Sequence, residues 1–178
     1  MSKEPAYKLK NLYGMRREMS VGFYITDFIF RKLFRQNSGV KWAIHHTSTI
    51  HNPEKINRGI NVFPGDSPGV YINAVNGVTI GDYTNIGPNV GVISSNHDFI
   101  NNDEHVAVEP IVIGKFCWMG MGAVILPGVQ LADFTIVGAG AIVTKSFLQG
   151  YCVIAGNPAR IIKYLNREEC DAFAQTRK

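Results

Sequence analysis

A histidine and several carboxylates are concentrated in one polar stretch, SSNHDFINNDEHVAVEP, at residues 94–110. Among these side chains, the imidazoles are suited to exchange a proton, because imidazole titrates near neutral pH, and His97 is preferred because it lies where the regular pattern of the chain breaks. A hydroxyl that attacks a carbonyl carbon must lose its proton as it does so, and a positioned side chain can accept that proton. We therefore predict that His97 is a general base.

The other ionisable side chains of this stretch are candidates for supporting roles. A general base is usually steered by an acceptor on its second ring nitrogen. Asp98 is the preferred acceptor because it is adjacent in sequence, whereas Asp103, Glu104 and Glu109 have no spacing that singles them out. Solvation of a surface loop is the ordinary role of all four carboxylates. His105, the second histidine of the stretch, is a candidate for contact with an acceptor substrate.

This polar stretch interrupts a six-residue repeat of aliphatic side chains. Before the stretch, the repeat consists of Ile44, Ile50, Ile56, Val62, Pro68, Ala74, Ile80, Ile86 and Val92. After it, the repeat continues as Ile113, Met119, Ile125, Leu131, Val137 and Val143. Only Pro68 departs from the expected type. The 21-residue step from Val92 to Ile113 is three more than a multiple of six, so the frame breaks once, at the histidine.

A period of six fits neither an α-helix nor uninterrupted strand alternation. It is typical of very short strands separated by tight bends, with one side chain of each hexad in a shared core. Glycine follows the aliphatic position in several hexads, such as IGDYTN and VGAGAI, where a sharp bend tolerates little bulk. Small or apolar side chains would fill the core at the fifth position: Val78, Thr84, Val90, Ala123, Val129, Thr135 and Ala141. We predict a mainly β chain that forms a parallel β-helix, with coils about 4.8 Å apart.

The two ends of such a stack need covering, because an exposed strand edge invites aggregation. Helical spacing over residues 6–35, followed by Gly39 as a stop, predicts an amino-terminal helical segment. The segment 164–176, LNREECDAFAQTR, predicts a short final helix. The predicted organisation is therefore a helical arm at 1–40, a β-helix at 41–163 with an extruded loop at about 97–110, and a helix at 164–178.

The net charge of +4 is unevenly distributed along the chain. Residues 1–41 contain nine Lys or Arg and three Asp or Glu, giving +6, so the remaining residues carry −2. The basic arm is a candidate for contact with an anionic membrane surface, although solubility alone accounts for such charge. The favoured interpretation is that the arm covers the end of the stack or joins neighbouring subunits. The body has no nucleic-acid-binding motif, and nucleic acid is not an expected partner. Three widely spaced cysteines argue against a disulfide framework and favour a reducing, cytoplasmic location.

In combination, the hexads, the NHDF loop, the GKFCW segment and the closing AGNPAR resemble the hexapeptide-repeat acyltransferases. The likeness is greatest to bacterial O-acetyltransferases that act on sugars and cell-surface polysaccharide precursors, and it covers about residues 44–165. The resemblance implies a left-handed β-helix with about three hexads per coil. It also implies a homotrimer that binds acetyl-coenzyme A between neighbouring subunits, direct acetyl transfer with His97 as the base, and no metal.

The resemblance also assigns roles to individual positions outside the loop. Asn73 resembles an acceptor-binding asparagine, although the intervening number of repeats differs from the family pattern. Met121 stands where some relatives have serine, so a side-chain hydrogen bond would be lost there. The positions that match cofactor-contacting residues of the family are Trp118, Met121, Ala139, Thr144, Lys145, Arg160 and Lys163.

Other functions remain open on the sequence alone. Acetylation of an amino sugar or another amine would use the same base, so the histidine does not distinguish oxygen from nitrogen as the acceptor. A carbonic-anhydrase-like β-helix would need zinc on three histidines, and His45, His46 and His51 lie several coils from His97. A non-catalytic β-helix is the third alternative. The acceptor itself is set by loop shape, which the sequence does not reveal.

Overall fold

A computed structural model describes residues 19–177 of the chain, which are mainly β. The helices are α1 (Val21–Phe28), which continues into a π-helical turn at Ile29–Leu33, and α2 (Arg167–Gln175). The strands, in chain order, are β1 (Thr49–His51), β2 (Ile56–Arg58), β3 (Tyr71–Asn73), β4 (Val78–Ile80), β5 (Asn85–Ile86), β6 (Gly91–Ile93), β7 (Ile111–Ile113), β8 (Trp118–Met119), β9 (Val124–Ile125), β10 (Gln130–Leu131), β11 (Thr135–Val137), β12 (Ile142–Val143), β13 (Cys152–Ala155) and β14 (Arg160–Tyr164).

These short strands form three sheets that the chain visits in rotation. The first sheet has the order β1-β3-β6-β9-β12, the second β10-β7-β4-β2, and the third β14-β13-β11-β8-β5. From β3 to β11 successive strands fall in the first, second and third sheets in turn. Every pairing is parallel except that of β13 with β14, which is antiparallel. Each circuit of the chain thus stacks on the circuit before it.

The side chains of the six-residue repeat form the core between the three sheets. All of the predicted aliphatic positions are buried except Pro68, which is exposed. The predicted fifth-position residues, from Val78 to Ala141, are buried as well. Thr84 and Thr135 satisfy their buried hydroxyls by donating to the backbone carbonyls of Gly114 and Ala132, both at 2.7 Å. The inward direction of the repeat was therefore predicted correctly.

The circuits are less uniform than the repeat suggests. Ile50 pairs with Ile72, 22 positions later, and Ile72 pairs with Val92, 20 positions later. Neither step is a multiple of six. Together they span 42 residues, which is seven hexads, so Val92 is again in the six-residue frame of Ile50. Pro68 is exposed because it lies in a turn of these longer circuits. The regular circuit of 18 residues appears between Ile125 and Val143.

The amino-terminal helix is anchored on the first circuit by an ion pair whose carboxylate is buried. Ser20 caps α1 by accepting a hydrogen bond from the Phe23 backbone N–H at 3.2 Å. Arg31 pairs with Asp27 at 2.5 Å and also donates to the carbonyl oxygens of Val40 and Trp42. The described helical segment, residues 21–33, is shorter than the predicted 6–35. The part of that prediction at residues 6–18 lies outside the described residues.

The carboxyl-terminal helix covers a ladder of aromatic rings on one edge of the stack. The ladder consists of Tyr83, Phe116, Phe134 and Tyr151, one per circuit, with neighbouring ring centroids 4.9–5.2 Å apart. Phe173 of α2 packs edge-on against Phe116, and the Tyr151 hydroxyl donates to Asp171 at 2.7 Å. Helix α2 is shorter than the predicted 164–178, because Tyr164 still belongs to strand β14.

Candidate active site

The predicted loop leaves the stack between β6 of the first sheet and β7 of the second. Ser94 and Ser95 are still buried, and the chain becomes exposed from Asn96 onward. The loop is a hairpin: His97 and His105 form an antiparallel bridge, and the Val106 N–H donates to the Asn96 carbonyl at 3.0 Å. The 33-residue step from Val92 to Ile125 is 15 longer than a regular circuit, which explains the frame break.

The ring of His97 has one nitrogen engaged by the backbone. Its Nδ1 lies 2.5 Å from the carbonyl oxygen of Asn102, an acceptor, so Nδ1 carries the proton. In the neutral ring, Nε2 then holds the lone pair. The ring also packs against His105, with centroids 4.4 Å apart, and His105 Nδ1 lies 3.3 Å from the Ser95 hydroxyl. This tautomer leaves Nε2 able to accept a proton.

The acceptor that holds His97 is not the one expected from sequence adjacency. The Asp98 carboxylate instead accepts from the backbone N–H groups of Ile100 and Asn101, at 2.8 and 2.9 Å. These two donors, that of Asn101 most strongly, hold the pKa of Asp98 below its usual range. Asp98 therefore stabilises the turn. The carbonyl of Asn102, rather than the Asp98 carboxylate, accepts the hydrogen bond from the imidazole. Glu104 accepts from the Asn101 side chain at 3.0 Å.

The two ends of the hairpin are tied together by Asn76, which the sequence did not single out. Its side-chain Nδ2 donates to the carbonyl oxygens of Ser94, at 2.8 Å, and of Val106, at 3.1 Å. Its backbone N–H donates to the Ser94 hydroxyl at 2.9 Å. Asn76 lies in the turn after β3, one circuit before the loop. No sequence spacing predicts this contact, because the turn lengths decide which residue lies beneath the loop.

Asn73, the predicted acceptor-binding residue, lies at the end of β3 beside the root of the loop. It pairs with Ile93 of β6, and its carbonyl accepts from the Ser94 N–H at 2.9 Å. Its side-chain oxygen accepts from the Val75 N–H at 3.0 Å. The side chain is thus engaged in its own turn, near the loop but without a contact to His97.

The residues predicted to contact the cofactor divide between two edges of the stack. We call the edge between the first and second sheets the loop edge; it holds the hairpin of His97 and the turn after β12 with Thr144 and Lys145. We call the edge between the third and first sheets the tryptophan edge. It holds Trp118 on β8, followed by the turn that contains Met121. Arg160 and Lys163 are exposed on β14, at the end of the third sheet.

The tryptophan edge presents an open shelf of backbone. Trp118 and Met121 are 53% and 59% exposed. The Gly140 N–H donates to the Met121 carbonyl at 2.9 Å, so the turn of Ala139 stacks directly on that of Met121. Gly122 and Gly140 have positive φ, and a Cβ at Gly140 would meet nothing within 4 Å. A long, thin ligand could lie here against main chain, with the indole of Trp118 as one wall.

Within the chain, the two edges are separated by the first sheet. The hairpin of His97 follows a strand of that sheet, whereas Met121 and Ala139 precede strands of it. A base on the loop edge and a ligand on the tryptophan edge of the same chain are therefore not brought together by the described residues. Arg160 is likewise turned to its own backbone, donating to the Ala159 carbonyl at 2.9 Å.

The histidines fall into three separate places. His45 and His46 stack on each other with centroids 4.4 Å apart, His51 packs edge-on against Tyr71, and the other two lie in the loop. Within residues 19–177, no three His, Cys, Asp or Glu side chains are grouped as ligands for a metal ion.

Cys117 is a core residue. It is buried, and its Sγ lies 3.3 Å from the Ala132 carbonyl oxygen. Burial raises the pKa of its thiol to about 12. A neutral, enclosed thiol is not a nucleophile.

No protein-family model matches the chain, but individual proteins do. It is 32% identical over 132 residues to the putative colanic acid biosynthesis acetyltransferase WcaF of Escherichia coli, covering 74% of this chain and 71% of that protein. A maltose O-acetyltransferase from Clostridium difficile superposes with a TM-score of 0.60 at 29% identity, over 67% of this chain and 64% of that one. A galactoside acetyltransferase solved in complex with coenzyme A gives 0.66 at 25% identity, over 92% of both chains.

Proposed function

The chain belongs to the hexapeptide-repeat acyltransferases, and from this membership we propose that it transfers an acetyl group from acetyl-coenzyme A to a hydroxyl of a sugar. A cell-surface polysaccharide precursor is the acceptor class that the likeness to WcaF supports, and the galactoside and maltose enzymes support a sugar hydroxyl. N-acetylation of an amino sugar or another amine remains the alternative that experiment must separate.

The observation that carries this proposal is the hydrogen bond from His97 Nδ1 to the Asn102 carbonyl. It leaves the lone pair on Nε2, where a bound hydroxyl can deliver its proton as the oxygen attacks the thioester carbonyl. The carbon–sulfur bond then breaks, and the proton on Nε2 passes to the departing coenzyme A sulfur. The hairpin supports the ring through His105, through the turn capped by Asp98, and through the tie to Asn76. Removing such a base lowers the rate by about 10²- to 10⁴-fold.

The chain's own residues fit coenzyme A as a cosubstrate. Acetyl-coenzyme A supplies the acetyl thioester. The glycine shelf beside Trp118 suits the slender pantetheine arm, since no side chain of Gly122 or Gly140 obstructs it. Lys145 and Lys163 are exposed cations that could pair with its phosphates as point charges. Met121 offers main-chain rather than side-chain polar atoms there.

We further propose that the three-sheet stack is a left-handed β-helix and that the working enzyme is a homotrimer. The separation of the two edges supports this assembly. A cleft between two protomers would set the loop edge of one against the tryptophan edge of the next, so that His97 and Trp118 meet. The division into an arm at 1–40, a β-helix at 41–163 and a final helix at 164–178 stays a prediction, as does the cytoplasmic location. In the part of the chain that is described, no helix is long and apolar enough to cross a membrane.

The proposal is tested by following free-thiol release from acetyl-coenzyme A with purified protein. A panel of sugars, nucleotide sugars and amines separates O-acetylation from N-acetylation. We expect a sugar hydroxyl to give the fastest release, and His97→Ala to lower kcat by a hundredfold or more.

His51→Ala is the matched control, because His51 is also exposed but lies on β1, away from the loop. It should retain wild-type turnover. Undiminished turnover by His97→Ala would contradict the role of the imidazole. Turnover with amines alone would replace the proposed acceptor class with the N-acetylation alternative.

A further inference from the structure

The amino-terminal helix carries an apolar stripe that faces solvent. Val21, Ile25 and Phe28 lie at helical spacing on the outer side of α1, and Leu33 and Phe34 extend the stripe through the π-helical turn. These five side chains are between 56% and 75% exposed. Contiguous apolar surface of this kind on a soluble domain marks an interaction site. We call these five residues the apolar stripe.

The helix cannot roll over to bury this stripe, because its opposite face is fastened to the first circuit. Asp27 is buried, pairs with Arg31 and accepts from the Ile44 N–H at 3.2 Å. Phe30 stacks on His46 with centroids 4.8 Å apart, and Phe23 packs against His45. The apolar stripe is therefore held outward as a fixed feature.

The exposed charged side chains of the segment 19–41 are all basic. Lys32, Arg35 and Lys41 are exposed, whereas Asp27, the only acidic residue in the sequence 19–41, is buried in its ion pair. The preceding residues 1–18 add five Lys or Arg and two Glu. A partner surface that covers the apolar stripe should therefore be apolar at its centre and anionic at its rim.

We propose that the apolar stripe docks on an anionic lipid surface. Its side chains would enter the boundary between headgroups and acyl chains, and the flanking cations would pair with lipid phosphates, as in interfacial amphipathic helices. A twofold contact with a second copy of the chain fits less well, because it would bring two basic rims together. Residues 1–18 are themselves basic and would meet the same repulsion. This docking would place an acetyltransferase at the surface where lipid-borne glycans are exposed, although the docking itself does not depend on the catalytic proposal.

Co-sedimentation of the full chain with vesicles tests this directly. Vesicles of phosphatidylcholine alone are compared with vesicles that also contain phosphatidylglycerol. We expect binding only to the anionic vesicles, weakened by added salt. Leu33→Ser with Phe34→Ser should weaken binding at least tenfold, whereas Leu148→Ser, which removes a similarly exposed leucine (68%) from a turn of the stack, should not.

The charge contribution is measured with Lys32→Gln and Arg35→Asn; asparagine suits the positive φ of 59° at position 35. Each should weaken binding roughly fivefold. Equal binding to both vesicle types, or no binding by the wild type, would overturn the proposal. Light scattering tests whether a second copy of the chain covers the stripe instead. If the variant with Leu33→Ser and Phe34→Ser dissociates into smaller species while Leu148→Ser does not, the stripe is an interface between copies.

Discussion

Asn76→Ala isolates the contribution of the hydrogen bonds that join the two ends of the His97 hairpin. The variant removes the Nδ2 donor to the Ser94 and Val106 carbonyl oxygens but keeps the backbone N–H bond to the Ser94 hydroxyl. A single hydrogen bond contributes about 0.5–1.5 kcal/mol net. The bond to Ser94 is partly buried and the one to Val106 is exposed, so together they should contribute about 1.5–2 kcal/mol to closing the hairpin.

Loss of this free energy should make local opening of the hairpin measurable in the Asn76→Ala variant. Because about 1.4 kcal/mol corresponds to a factor of ten, opening of the hairpin should become ten- to thirtyfold more frequent. Hydrogen exchange reports it at the Asp98 and Val106 amides, which donate across the hairpin to Glu104 and Asn96 at 2.9 and 3.0 Å. Exchange elsewhere in the stack should be unaffected, since the loss is confined to the loop.

The same variant separates positioning from cofactor binding. If the hairpin places the base, kcat for acetyl transfer should fall, while KM for acetyl-coenzyme A should stay near the wild-type value because the tryptophan edge is unchanged. Asn57→Ala, at an exposed position of β2, is the matched control and should alter neither quantity. Wild-type exchange rates at Asp98 and Val106 in Asn76→Ala would refute the reasoning, whatever happened to kcat.

Two further predictions concern the stack. At a pKa of about 12, only about one Cys117 thiol in ten thousand is ionised at pH 8. Iodoacetamide should therefore label the partly exposed Cys170 first and reach Cys117 only after unfolding in urea. Early modification of Cys117, located by peptide mass spectrometry, would contradict its burial. Gly120→Ala should lower the free energy of unfolding by about 2–3 kcal/mol in urea titrations, because its Cβ would lie 2.6 Å from the backbone nitrogen of Ala139 in the next circuit. Gly22→Ala is the control: it has helical backbone and space for a methyl group, and should stabilise α1 by up to about 1 kcal/mol. Equal stability of the two variants would show that the circuits can separate to admit a Cβ.

The six-residue repeat determined the core because it acts locally. In a strand of two or three residues followed by a tight bend, the side-chain direction at each hexad follows from the chain itself. Ile50, Ile86, Val92 and Leu131 could therefore be placed inside without knowing which circuits touch. The position of the loop was local information too, since the frame breaks by three residues at His97.

What the repeat could not determine was the pairing between circuits. Counting three hexads from Ile56 would place Ala74 beside it, but Ile56 pairs with Val78, because the early circuits hold 22 and 20 residues rather than 18. The antiparallel strand β14 was also not predicted. Register depends on how each turn packs on the one below it, and that is a property of neighbouring circuits rather than of one hexad.

The same distinction separates the parts of the candidate site. The burial of the aliphatic side chains was predictable from their phase, and the choice of His97 as a candidate base rests on residue type. The acceptor at Asn102 and the tie from Asn76 were not, because hydrogen-bond partners are chosen by the three-dimensional path of the hairpin, and adjacency in sequence favoured Asp98 instead. The residue types thus named a candidate base, and only the tertiary structure decided what holds its ring, since geometry rather than sequence distance determines which donor reaches which acceptor.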